Sequence, residues 1–168
     1  MEREPSWKAK RTALVLAAAW AALAILVPFT LAPGSVGDLS GTVGSVENDF
    51  GGLHPVAQVV YFLGDLNCHT RSERSFELNG NQMPFCARDT GLFLGLAAGM
   101  AAVLFLRPRS SWAVIVLLAL PVVVDGGVQL LFDYESTNPV RLLTGILGGG
   151  AAALFFGRLA DSLLRVEK

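Results

Sequence analysis

Thr12–Leu31 reads TALVLAAAWAALAILVPFTL, twenty residues without a charge. A helix rises about 1.5 Å per residue, so such a run reaches across the roughly 30 Å hydrocarbon core of a bilayer. The rest of the chain agrees that lipid is the main solvent. Hydrophobic residues make up 52% of the 168, charged residues only 16%, and the mean hydropathy is +0.51. A soluble domain carries about a quarter charged residues. The formal net charge of −1 supplies no basic field of the kind that nucleic-acid binding needs.

Three further runs follow. Residues 89–106, 112–132 and 142–159 are each long and apolar enough to span. The third run contains Pro121 and Asp125, and the fourth has Arg158 near its end. Residues 54–66 are apolar but too short to cross, and read as an interfacial or re-entrant helix. The expectation is an all-α membrane protein. A single polytopic domain over 1–168 forms a four-transmembrane-helix bundle with that interfacial helix and an extracytoplasmic motif loop. The first run reads as a retained span rather than a cleaved signal, because its apolar core is long and Pro33 follows Ala32 where a cleavage site would fall.

Orientation follows from the basic residues near the span ends. Arg3, Lys8, Lys10 and Arg11 precede the first span, Arg107 and Arg109 lie between the second and third, and Arg158, Arg165 and Lys168 end the chain. Four crossings put all of these on one side, the cytoplasm. The loop after the first span carries Asp38, Glu47 and Asp49 and no basic residue. The expectation is a multi-pass cell-membrane protein with both termini cytoplasmic and the 68–89 and 133–141 segments outside. Gly91, Gly95 and Gly99 recur every four residues in the second span, as Gly145 and Gly149 do in the fourth. In lipid, helices associate where small residues let backbones approach, so these two helices are expected to touch.

The polar residues gather in the motif segments. Asp125 lies about two turns inside the third span, a costly place for a carboxylate without a partner. Gln129 shares its helix face four residues later, and Arg88 and Arg141 are the candidate partners. Asp125, Asp89 and His69 are acid–base candidates, since paired carboxylates activate water by sharing a proton. Arg88, Arg141, Arg74, Gln129 and Asn138 are candidates for binding an anionic group, because arginine forks match phosphate and carboxylate. Cys68, His69, Cys86 and Asp89 offer thiolate, imidazole and carboxylate, all competent ligands for a divalent metal such as zinc. Their spacing is not that of a zinc finger, and a Cys68–Cys86 disulfide or two free thiols fit an extracytoplasmic loop as well.

Cys68-His69, Arg71 through Phe76, Gly80, Pro84, Cys86-Ala87-Arg88 and Thr90-Gly91 together resemble the signature of a prokaryotic membrane-protein family, domain of unknown function 2085. Asp125-Gly126 with Gln129, Ser136-Thr137-Asn138, Arg141 and Thr144-Gly145 fit the same pattern. The resemblance implies a third cysteine where this chain has Asp89, and Gln where it has Thr70. Asp89 therefore shifts weight from thiol chemistry toward acid–base or anion-binding chemistry.

Two function classes are carried forward. One acts on a lipid or lipid-linked substrate, in lipoprotein maturation or headgroup chemistry. The other is a non-enzymatic metal-binding or accessory membrane protein. The partners expected are membrane lipids, with lipid-anchored proteins or a membrane partner protein beside them.

Overall fold

The structure, a computed structural model, describes residues 4–68, 70–108, 111–132 and 134–164. Five α-helices and one hairpin make up the fold: α1 (Glu4–Leu26), α2 (Pro55–Asn67), β1 (Ser75–Leu78), β2 (Asn81–Cys86), α3 (Ala87–Phe105), α4 (Trp112–Leu131) and α5 (Asn138–Leu163). Short 3-10 turns follow α1 at Val27–Thr30 and precede β1 at Ser72–Arg74. Among the described residues four helices are long and apolar enough to cross a membrane, as the sequence predicts: Pro5–Thr30, Ala87–Phe105, Trp112–Leu131 and Asn138–Leu163.

Glycine holds the bundle together. A Cβ on Gly95 would land on the backbone of Ile146, one on Gly149 on the backbone of Leu92, and one on Gly145 on the carbonyl of Arg88. The expected α3–α5 contact therefore forms through both glycine stripes, with backbones too close for any side chain between them. Helix α4 leans on α5 and turns Val116, Leu117, Val123 and Leu130 outward.

Lys10 Nζ lies 2.6 Å from Asp161 Oδ1, and the Trp112 ring packs tilted against Phe155 with centroids 6.1 Å apart. The start of α1, the start of α4 and the end of α5 thus share one end of the bundle. Helix α2, the hairpin and the 31–53 segment cap the other end. The core of this cap is Val27, Val36, Phe50, Ala57, Val60, Tyr61 and Phe85. Trp20, Phe85 and Phe93 meet edge-on, with centroids 5.0–6.0 Å apart, and fasten the cap to α1 and α3.

The motif segment, expected as a loop, contains a β-hairpin. Its turn is Asn79-Gly80, with φ of 55° and 68°, the left-handed pair that a two-residue type I′ turn requires. Asn81 and Gln82 bind it to the 28–39 segment. Val36 and Leu39 donate their backbone N–H groups to the Asn81 and Gln82 side-chain oxygens at 2.9 and 3.0 Å, and Asn81 Nδ2 donates to the carbonyls of Pro28 and Ala32. The short apolar helix expected at 54–66 is α2, capped by His54 as its position suggests, with Nδ1 accepting from Ala57 N. One side of α2 is sealed against β2: Tyr61 donates its hydroxyl to the Gln82 carbonyl at 2.7 Å, and Gly64 leaves room for the Pro84 carbonyl.

The 33–52 segment has turns and no regular strand, and Asp65 organises it. This fully buried carboxylate accepts from Glu47 N and Asn48 N at 3.0 Å, from Asn48 Nδ2 at 2.8 Å and from Thr70 Oγ1 at 3.0 Å. Four donors compensate the cost of burying the charge.

Candidate functional site

The first turn of α3 has two chemically different faces. Successive helix residues point about 100° apart, so Arg88 and Asp89 leave the axis in different directions. Arg88 reaches α4. Its Nη2 donates to Asp125 Oδ2 at 2.5 Å and to Gln129 Oε1 at 2.9 Å. Ser136, just before α5, adds a weaker bond to the same Asp125 oxygen at 3.4 Å. Asp125 is almost fully buried, and the ion pair with Arg88 answers the cost its depth imposes.

The network continues to the surface through Glu135. Arg74 holds this carboxylate with two parallel bonds, Nε to Oε1 at 2.6 Å and Nη2 to Oε2 at 2.9 Å. Arg141 Nη2 donates to Oε1 at 2.6 Å and Gln129 Nε2 at 3.1 Å. Arg141 is itself only 2% exposed, while the Glu135 side chain is 51% exposed. Asn138 accepts from Arg141 Nη1 at 3.1 Å and donates to the Ser75 carbonyl at 3.1 Å, which joins α5 to the hairpin. The two guanidiniums, Arg74 first, hold the Glu135 carboxyl below the ordinary glutamate range.

Three arginines and two carboxylates meet in this network, leaving one formal positive charge. Two buried donors beside it have no protein partner among the described residues, the Nε of Arg88 and the hydroxyl of Ser75. The cluster therefore carries an excess positive charge at one end of the bundle. A separate cavity of about 430 Å³ opens beside Arg71, but Asp38, Glu47 and Glu73 on its walls make it a poor anion site.

The other face of the turn holds Cys68, Cys86 and Asp89. Cys68 caps the C-terminus of α2, and Cys86 ends β2 and caps the N-terminus of α3. Both are free thiols, and Cys86 N–H donates to Cys68 Sγ at 3.2 Å. The two sulfurs and an Asp89 carboxylate oxygen all lie within 4.8 Å of one another. A hydrogen bond from Cys68 pulls the Cys86 thiol below its ordinary value, helped by the backbone N–H groups of Arg88 and Asp89. The same bond, with burial, pushes Cys68 well up.

Of the residues singled out in the sequence, Arg74, Arg88, Asp125, Gln129, Asn138 and Arg141 thus form one connected network, while Cys68, Cys86 and Asp89 form a second cluster. Asp125 takes Arg88 rather than Arg141 as its partner. Asp89 and Asp125 sit in different clusters with different partners. His69 lies outside the described residues. Two carboxylates were missed, Glu135 and Asp65. Glu135 was findable: three arginines at one end of a bundle need counter-ions, and it stands just ahead of α5.

Fold and site together define a four-span helical membrane protein with a polar cap and an arginine–carboxylate network at one end. Residues 68–155 match the family described as predicted membrane protein (DUF2085), and the chain belongs to that family. An uncharacterized protein of Methanothermobacter thermautotrophicus is 37% identical over 103 residues, covering 59% of this chain and 92% of the relative. An uncharacterized protein of Methanocaldococcus jannaschii is 34% identical over 96 residues, covering 54% of this chain and 61% of that protein's length. No solved structure matches the chain.

Proposed function

We propose that this protein binds the anionic headgroup of a lipid or lipid-linked substrate at the extracytoplasmic membrane surface, through Arg74 and Arg141. The observation that carries the reading is the Glu135 carboxylate, half exposed yet gripped by both guanidiniums and Gln129. It marks a place built for an anionic oxygen, and a phosphate offers the same geometry to the same forks. Asn138 and Gln129 orient the arginines. Asp125 acts as the counter-ion that aims Arg88, since its charge is already matched. Because Asp89 and Asp125 have different partners, the reading contains no proton-sharing carboxylate pair.

The test is lipid-selective stabilisation of the detergent-purified protein. Short-chain phosphatidic acid and phosphatidylglycerol are expected to raise Tm, with phosphatidylcholine nearly silent and inorganic phosphate weaker than either lipid. Losing a paired charge-assisted contact costs about 2 kcal/mol, so Arg74→Gln should weaken phosphatidic acid binding about thirtyfold. Equal stabilisation by phosphatidylcholine, or an Arg74→Gln protein that responds like the parent, would refute the reading.

A further inference from the structure

On the other side of α3, we infer that Cys68, Cys86 and Asp89 form a binding site for zinc or a similar borderline divalent cation, independent of the anion site. The donors arrive from three elements: the end of α2, the end of β2 and the first turn of α3. Cys86 and Asp89 are three residues apart across a helix start, so both side chains face Cys68.

The distances suit a metal. In tetrahedral zinc with thiolate bonds of about 2.3 Å and oxygen bonds near 2.1 Å, ligand atoms stand roughly 3.5–3.8 Å apart. The three atoms here lie within 4.8 Å of one another, so side-chain rotations of about an ångström close the shell. The donor set also suits the ion. Zinc accepts two thiolates and a carboxylate readily, whereas the two thiolates disfavour magnesium and calcium.

The charge argument is separate. Arg88, the nearest cation in sequence, spends its guanidinium on Asp125 and Gln129. Among the described residues no arginine or lysine makes an ion pair with Asp89. Among the described residues a half-buried carboxylate beside two thiols thus has no ion-pair partner, and a bound cation supplies one. A disulfide would use two of the three donors and leave the carboxylate against an uncharged bridge. Binding would tie α2 and the hairpin to α3, and so fix the cap on the bundle. Water completes the fourth place of the shell.

The experiment is a metal titration of the reduced, chelator-stripped protein in detergent, with cobalt as the optical probe and zinc as competitor. One equivalent of cobalt is expected to give a sulfur-to-metal charge-transfer band that zinc abolishes. Cys68→Ser and Cys86→Ser should each remove about half the band, and Asp89→Ala should weaken binding at least tenfold or so. Asp89→Cys should strengthen the band by about half, with three sulfurs in place of two. That variant and Asp89→Ala decide the matter even if a cysteine variant fails to fold. Arg74→Gln should leave the band unchanged, which keeps this result separate from the anion site. Three results would overturn the site. One is binding of less than half an equivalent. Another is a titration indifferent to both Asp89 substitutions. The third is protein from membranes whose two thiols resist alkylation until a disulfide is reduced.

Discussion

Arg88 and Asp125 show how one residue's environment dictates another. Asp125 is 6% exposed at its side chain and its carboxylate is answered by a guanidinium at 2.5 Å. Removing one partner strands the other, so Arg88→Met should destabilise the protein by about 3–5 kcal/mol, read from Tm in detergent. The double variant Arg88→Met with Asp125→Leu should recover most of that loss, because neither charge is then buried alone. Glu135 behaves differently, being half in water. Its folded pKa lies below the ordinary value of 4.5, so its contribution is complete above about pH 4.5. It fades as the pH falls through the lower folded value, where protonation cancels the attraction to Arg74 and Arg141. The Tm difference between wild type and Glu135→Gln should therefore be constant from pH 7 to 5 and shrink below that. A difference that grows on acidification would count against it. Asp125 was legible from its depth alone, since few residues are so costly there. Glu135 was legible only through the arginines' need for counter-ions, and Asp65 was not legible at all, because a carboxylate near the end of a helix looks the same in sequence whether it is solvated or ringed by donors.

At the scale of elements, the spans were readable because length and hydrophobicity are enough to specify them. The glycine contact between α3 and α5 was readable because four-residue spacing puts small residues on one helix face. Gly95→Leu should break this contact, lowering Tm sharply, since its side chain would have to enter the backbone of Ile146. Gly127 on α4 meets nothing within 4 Å, so Gly127→Ala should be neutral or stabilise by up to about 1 kcal/mol through helix propensity alone. Comparable losses from both substitutions would sink the packing account. The hairpin has a clear signal in the sequence. Leu78-Asn79-Gly80-Asn81 contains the dipeptide that most strongly marks a two-residue turn, although cysteines and arginines of the kind found in ligand loops surround it. The 33–52 segment carries no periodicity that could announce its path. Its shape depends on Asp65, and Asp65→Ala should leave two backbone N–H groups unpaired and cost about 2–6 kcal/mol.

The whole molecule is a bundle with two unlike ends. One is closed by Lys10–Asp161 and by Trp112 on Phe155, and the other carries the cap and both polar clusters. On the proposed function, this polarity would give an anion access from the membrane surface while the glycine-packed helices stay in the hydrocarbon. It also accounts for what composition could and could not convey. Hydropathy reports the solvent of each helix, but the convergence of Arg74, Glu135 and Arg141 from three separate segments exists only after folding. The central claim is that these arginines form a ligand site with Glu135 as a placeholder, rather than a fixed surface clasp. Phosphatidic acid affinity of the Glu135→Gln protein, measured by native mass spectrometry from detergent at neutral pH, tests it most directly. If Glu135 competes for the forks, its neutralisation should raise affinity about tenfold, the equivalent of about 1.4 kcal/mol. Unchanged or weaker binding would contradict the account and leave the cluster as a structural tie between the hairpin and α5.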